Sequence, residues 1–531
     1  MKVKFVGAIT GITGSCSWLK HIDSKSQWLV DCGMNQDKEA AVQNNLPFPF
    51  DPKEITGVFL THAHIDHCGL IPKLYKEGFA GQVYCTEATA EISRIQLNSS
   101  VRHLANDLYE KKHIDAIRWK TIDTDERFSW GKPIPLKKNL SITLMRGSHM
   151  IGACGMQLSW KVSTSKWKSM LFTGDVGNNT EKHTQFPMLK GNHAAFPSVD
   201  YIMIESTYGA IKRENNHCFM ETRHDVLSEI IDRTVNMKNG KVIIPAFAAQ
   251  RAQDILLDIV LCLVKGSLHK QNGRPIRLLV HSPSIAMLNK IYADQLGKTF
   301  HGRKGEKRQY VNDMLLEILT PDELSDFIEL LDTEVDADGQ RRSYKEFGMG
   351  HILVSSDINE DIDDYDIILS SSGMAEGGYI VKHLDAFETD AKNTVLLTGY
   401  QAPDTRGGRM ATKPESIKAE VVNLSTYYSA HADQTVLMDL VFDLGGYDQI
   451  SKETIVFLNH GESTSKGSLR EALLERNERT DLHQRRLGEV IMPNTEDGWY
   501  NLDRGHFEPK DTSDLQYEIQ KLKKQLALKQ A

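Results

Sequence analysis

Val58-Phe59-Leu60-Thr61-His62-Ala63-His64-Ile65-Asp66-His67 is an apolar run that ends in four side chains able to bind a metal. Ile55–Thr61 reads as a buried strand. Side chains alternate along extended backbone, so His62 and His64 point the same way. Asp66 and His67 fall at the start of the helix expected next and can face a second ion. Neutral imidazole and carboxylate are both ligands that Zn²⁺ accepts. Two ions about 3.5–4 Å apart can share a nucleophilic oxygen and clamp a phosphodiester during in-line displacement. An isolated His-x-His reads more simply as surface or core histidines. Four candidate ligands inside His62–His67, at the carboxyl end of a strand, argue against that simpler reading.

Working outward, the same setting recurs. His149 lies in Gly147-Ser148-His149-Met150, Asp175 follows Leu171-Phe172-Thr173, and His460 follows Ile455-Val456-Phe457-Leu458. Open α/β sheets gather ligands beyond the carboxyl ends of their strands, so residues far apart in sequence can converge there. Each is a weak signal alone; together with His62–His67 they are a specific one.

Around these motifs the N-terminal part reads as short strands with Gly-rich turns: Val3–Val6, Trp28–Val30, Ser141–Met145, Ser169–Thr173 and Val199–Ile204. From about residue 210 helices and strands alternate, the pattern of a parallel α/β domain. His224–Met237 reads as helix, Lys241–Pro245 as strand, Ala248–Leu263 as a long amphipathic helix, and Leu315–Thr333 as an acidic helical block. Arg277–Val280, Asp366–Leu369, Thr394–Thr398 and Thr454–Leu458 read as strands. Near the end, Leu515, Ile519, Leu522 and Leu526 step along a helix that Ser513 and Gln516 could box. A short oligomerisation helix is one reading; a helix packed on its own domain is the preferred one.

The 531 residues suffice for two or three domains. A net charge of −8 excludes a non-specific nucleic-acid coat, though not an enzyme with a basic cleft. Seven scattered cysteines, odd in number and without a CxxC pair, read as reduced thiols. With no leader-like N-terminus and no spanning apolar run, the expectation is a cytoplasmic protein without membrane contact. Arg303, Lys304, Lys307 and Arg308 form a basic cluster that reads as a solvated loop.

Taken in order, the motifs resemble the metallo-β-lactamase superfamily and its nucleic-acid-processing β-CASP branch. The resemblance rests on His62–His67, Thr13-Gly14-Ser15-Cys16, Asp31-Cys32-Gly33, Glu205-Ser206-Thr207-Tyr208-Gly209, Ser371-Ser372-Gly373-Met374, Thr398-Gly399-Tyr400-Gln401, Ser429-Ala430-His431-Ala432-Asp433 and His460-Gly461-Glu462. The chain looks like a stand-alone member related to the endonuclease subunit of the pre-mRNA 3′-end cleavage factor. The fold this implies is an αββα metallo-β-lactamase sandwich carrying an inserted parallel α/β β-CASP domain. Residues 1–209 and 425–500 would make the sandwich, 210–424 the insert, and 501–531 a tail with a helix.

The resemblance implies two Zn²⁺ ions, one on His62, His64 and His149, the other on Asp66, His67 and His460, with Asp175 between them. It gives Asp66 a catalytic as well as a ligand role. His431 matches the branch's general acid for the leaving 3′ oxygen, and Glu205 the carboxylate that orients it. Ser372, Gly373 and Met374 match a turn that contacts the substrate backbone, while Arg406 and Arg409 suit phosphates by their guanidinium geometry. The chain departs from the branch at Ser148, where many relatives have glycine, and at His281-Ser282-Pro283, where Asp-Ser-Pro is more usual. Little sequence follows His460 and none precedes Val6 that resembles an RNA-binding module. A histidine at His460 is the branch's RNA-processing variant, which favours RNA as substrate, with single-stranded DNA as the rival and 5′-phosphate and 3′-hydroxyl ends as products. Substrate is expected between the domains. A small-ester or thioester hydrolase and a metal-depleted scaffold are the other readings, and the sequence leaves the oligomeric state open, a homodimer included.

Overall fold

The computed structural model describes residues 1–36, 40–101, 108–177, 198–213, 220–301, 307–309, 313–442, 453–479, 487–510 and 512–530. Two compact units emerge: one from Met1–Gly177, the described part of Gly191–Lys212, and His431–Ala531; the other mainly from Arg213–Ala430.

The first unit holds two sheets. One has eight strands, in the order His506–Phe507, Tyr500–Asn501, Lys2–Phe5, Ser17–His21, Ser26–Val30, Ile55–Phe59, Gln82–Cys85 and Trp119–Thr121. The other has seven: Leu487–Ile491, Thr454–Asn459, Tyr201–Glu205, Trp167–Phe172, Cys154–Lys161, Leu140–Arg146 and Ile134–Lys137. Alternation along each strand sends side chains to both faces. Trp28, Val30 and Phe59 meet Met156, Phe172, Met203 and Phe457 in one core between the sheets. Their neighbours Leu29, Val58 and Leu60 turn the other way, onto Ile71, Leu74, Ala90 and Leu97 of the covering helices. On the second sheet Leu171, Ile202, Ile204 and Leu458 likewise turn onto Val436, Leu437, Leu469 and Leu473. The result is helix, sheet, sheet, helix: the αββα sandwich.

Parallel register brings the strand ends level where the site will form. Val30 lies opposite Phe59, Phe172 opposite Met203, and Glu205 opposite Asn459.

The second unit is built on an eight-stranded sheet: Glu334–Val335, Arg341–Phe347, Gly350–Ser355, Ile276–His281, Ile367–Ser370, Val242–Pro245, Thr394–Leu397 and Glu420–Asn423. Six adjacent strands run parallel, and Arg341–Phe347 adds an antiparallel edge. Ile243, Ile244, Leu279, Val280, Ile368 and Leu369 are fully buried. Consecutive apolar residues of this kind mark a parallel sheet covered on both faces.

Two expectations change. The helix expected to be amphipathic, found at Arg251–Val264, is buried from Arg251 to Leu263. Its polar residues are there because they have partners: Asp258 accepts from Arg223 Nε at 2.9 Å and lies 3.0 Å from His224 Nε2. The final helix, Thr512–Gln530, rests on its own unit by its polar side and leaves the leucine stripe exposed. Of the basic cluster, Arg303 and Lys304 lie outside the described residues, as do Cys218 and the side chain of Ser513. The six described cysteines are free and buried. Among the described residues no helix is long and apolar enough to cross a membrane.

Removing one partner of a fully buried ion pair strands the other charge, at a cost of about 3–5 kcal/mol. Asp258→Ala is therefore expected to lower the urea midpoint of the second unit by a corresponding amount. An unchanged midpoint would show that Arg223 finds solvent or another acceptor.

Candidate metal centre

Beyond Phe59 the chain stays extended through His64, whose backbone (φ −61°, ψ 147°) caps the single-turn helix Ile65–Cys68. That turn presents Asp66 and His67. His149 comes from the turn joining Leu140–Arg146 to Cys154–Lys161, Asp175 from the loop after Trp167–Phe172, and His460 from directly after Thr454–Asn459. His460 holds a left-handed backbone, φ 53°, with its N–H bonded to the Ala8 carbonyl at 3.0 Å.

The donor atoms form two groups. His62 Nε2 lies 3.2 Å from His64 Nδ1, which lies 3.0 Å from His149 Nε2. Asp175 Oδ2 stands 3.5 Å from both His62 Nε2 and His149 Nε2. In the second group His460 Nε2 is 3.1 Å from His67 Nε2 and 3.2 Å from Asp66 Oδ2. Asp175 Oδ1 reaches that group too, 3.3 Å from His67 Nε2. One carboxylate thus addresses both.

These spacings fit a cation. A tetrahedral ion with bonds of about 2.0–2.1 Å sets its ligand atoms roughly 3.3–3.4 Å apart. Asp175 Oδ1 is buried without a hydrogen-bond donor, a position that is costly unless positive charge completes it. Burial pushes His62 down to about 3 and also lowers His64 and His149, keeping them in the neutral form a metal takes. For Asp175 burial opposes the charge, but His460 and His67 overcome it and hold the carboxyl well below its ordinary value. Burial likewise works against a charged His67, and Asp175 and Asp31 outweigh it. The proton that His67 then carries is the one a metal ion replaces.

A third group adjoins the first. His431 Nδ1 is 3.0 Å from Glu205 Oε1, and His431 Nε2 is 3.9 Å from Asp175 Oδ2. Glu205 is locked by backbone donors: Oε1 accepts from Val176 N–H at 2.8 Å and Oε2 from Thr207 N–H at 3.1 Å. A carboxylate so saturated serves better to aim an imidazole than to bind an ion. Burial disfavours a charged His431, yet Glu205 and then Asp175 raise it to about 10.

Three residues with no role assigned from sequence hold the ligands in place. Asp31, itself at φ 60°, lies 2.8 Å from His67 Nδ1 through Oδ2 and accepts from Thr61 N–H at 2.8 Å through Oδ1. Thr61 Oγ1 is 3.1 Å from His62 Nδ1, and Thr207 Oγ1 is 3.2 Å from His460 Nδ1. Asp31 was findable: it too sits just past a strand end, beside the strand that carries His62. Nearby, Gly33 is obligatory, because a Cβ there would stand 1.6 Å from the Asp66 carbonyl oxygen.

The expected substrate residues belong to the second unit. Ser372 N–H donates to Gly377 O at 3.1 Å and Gly373 O accepts from Gln401 Nε2 at 2.9 Å, so the Ser371–Met374 turn is a fixed loop. Arg409 is exposed and donates to the Asp404 carbonyl at 3.1 Å. Arg406 pairs its guanidinium with Asp385 at 2.8 Å and Glu388 at 2.7 Å.

Two family models match, the metallo-beta-lactamase superfamily over residues 10–136 and the Beta-Casp domain over 252–410. "Ribonuclease TTHA0252" of Thermus thermophilus is 27% identical over 502 residues, 92% of this chain and 100% of that one. "Transcription termination factor FttA" of Methanocaldococcus jannaschii is 26% identical, over 87% of this chain and 67% of that one. An "RNase J-like protein" of the same organism is 26% identical, over 87% and 92%. Fold and site thus define a metal-dependent hydrolase of the metallo-β-lactamase superfamily. Within it, the chain belongs to the β-CASP branch.

Outer partners of metal-bound histidines typically account for 10–100-fold of affinity. Asp31→Ala is expected to weaken divalent metal binding by that factor in competition with a fluorescent chelator. Unaltered affinity would mean that His67 is aimed by packing alone.

Proposed function

We propose that the chain is a ribonuclease that holds two zinc ions and hydrolyses RNA phosphodiester bonds, leaving 5′-phosphate and 3′-hydroxyl ends. The observation that carries the reading is the Glu205–His431 pair set beside a two-group donor cluster. A general hydrolase needs the ligands; a nuclease also needs a proton for the departing sugar oxygen.

His62, His64 and His149 would hold one ion, and Asp66, His67 and His460 the other, with Asp175 shared. Bound metal supplies Lewis acidity, lowering the pKa of water and neutralising phosphoryl charge. The chain contributes the rest. Glu205 takes the Nδ1 proton of His431 in a hydrogen bond, which fixes the ring so that Nε2 faces the cluster at Asp175. Protonated Nε2 then gives its hydrogen to the leaving 3′ oxygen. Positive charge in the ligand groups opposes that protonation and brings His431 down toward the working pH.

In the second unit, Ser372, Gly373 and Met374, with Arg409, are our candidates for contacting the RNA backbone. Residues 210–424 would form the inserted β-CASP domain. RNA is favoured over DNA by the relatives named as ribonucleases and by the histidine at His460.

His431→Ala should keep its metal and cleave 10²–10⁴-fold more slowly, the usual worth of a general acid. End-labelled RNA, with matched single-stranded DNA, measures this and the substrate preference together. Loss of metal from an intact fold, or a clear preference for DNA, would contradict the assignment. The reaction needs protonated His431, so activity falls as pH rises through its pKa. Glu205→Gln removes the main carboxylate that raises that pKa and should move the alkaline limb to lower pH. Asp175→Ala should lower the occupancy of both ions; retention of two per chain would exclude sharing.

A further inference from the structure

The helix Thr512–Gln530 has a face that the proposed chemistry does not use. Leu515, Ile519, Leu522 and Leu526 are 53%, 52%, 64% and 59% exposed. They fall on every a and d position of a heptad between Leu515 and Leu526, with Leu515 and Leu522 at d, Ile519 and Leu526 at a. The opposite side of the same helix is already engaged. Asp514, at c, is buried against Lys4, and Tyr517 (f) and Lys521 (c) line a cavity with Gly7, Gly14 and Cys16 of the first unit. A helix anchored by c and f offers a and d to solvent, which is costly for aliphatic side chains unless something covers them.

We propose that the cover is the same helix of a second copy, paired parallel and in register as a two-stranded coiled coil. Three observations choose this occupant. Ile at a with Leu at d favours two parallel strands. Glu518 falls at g, and Lys523, five residues on, at the e position that faces g of a parallel partner. Each helix therefore brings one half of two opposite-charge pairs. The remaining flanking positions, Gln516 and Gln525, carry no charge. Antiparallel pairing would set Glu518 against Gln525 and Lys523 against Gln516, forming no ion pair. Glu518 already bridges Lys510 and stays 41% exposed, so a partner's lysine can join the same carboxylate. Four layers make a short coil, but the helix is held in place by Lys4–Asp514 and Lys510–Glu518, so pairing has no nucleation to overcome. The symmetry is twofold, with the sandwiches facing outward on either side of the coil.

Light scattering on the full chain tests this. The wild type should elute at twice 59.9 kDa, and Ile519→Glu with Leu522→Glu at 59.9 kDa, with circular dichroism and metal content unchanged because both side chains are exposed. Mild oxidation of Leu515→Cys should join two chains, since in register position 515 meets its own copy; the wild type, oxidised alongside, should not. A wild type that stays at 59.9 kDa would overturn the proposal and leave the seam to a helix of another protein. A dimer that survives the double substitution, or one in which Leu515→Cys couples only to Leu526→Cys, would overturn it as well. These readouts involve no cleavage, so they succeed or fail apart from the proposed activity.

Discussion

Everything in the first unit bends to one electrostatic constraint: seven donor side chains gathered into two adjoining groups, each with its atoms within 4.8 Å of one another, in a place that water hardly reaches. Lone pairs at that spacing repel, and burial denies the histidines of one group the protons that would relieve them. Cations resolve the conflict. Asp175 shows this most sharply, because each of its oxygens faces a different group and one has no hydrogen-bond donor.

Such an arrangement needs a frame that does not relax. The two sheets supply it by pooling their cores, and parallel register ends neighbouring strands at one level, so that short loops suffice to aim the ligands. Further stiffness comes from backbone that only a crowded site imposes. Asp31 and His460 both adopt left-handed backbone, and Gly33 lies too close to Asp66 for any side chain. Strain of this kind persists where surrounding contacts over-determine the geometry.

Much of this is legible in the order of the residues alone. Apolar runs tell where strands end, and metal-binding residue types just past those ends tell where they converge; His62, His149, Asp175 and His460 all follow from that rule. Asp31 obeys it too, yet an Asp beside a Gly reads first as a turn, which hides its role. Thr61 and Thr207 act only through a histidine ring, which no spacing reveals. Arg406 shows a different limit: its ion-pair partners cannot be read from its own neighbourhood in the chain. Guanidinium chemistry suits phosphate and carboxylate alike, and only the fold decides that Asp385 and Glu388 reach it. The helix Arg251–Val264 reads as amphipathic when its polar residues are counted as solvated, whereas Arg223 and His224, distant in sequence, receive Asp258 inside the core. The leucine stripe at the chain's end misleads for a related reason: periodicity identifies the apolar face of a helix but not what that face meets.

The interrupted course of the chain through the first unit has a consequence for synthesis. The opening strand Lys2–Phe5 pairs with Tyr500–Asn501, and the terminal amine of Met1 is bound by Asp503 at 2.6 Å. His431 and His460 likewise emerge long after His62. On the ribosome the second unit, whose main segment Arg213–Ala430 is continuous, can fold while the first still lacks an edge strand, His431 and His460. A nascent chain that has not reached His460 therefore carries no complete donor cluster. The topology thus withholds the complete donor set until His460 has been synthesised, so the centre is assembled late, after the parallel sheet of the second unit has its whole sequence available.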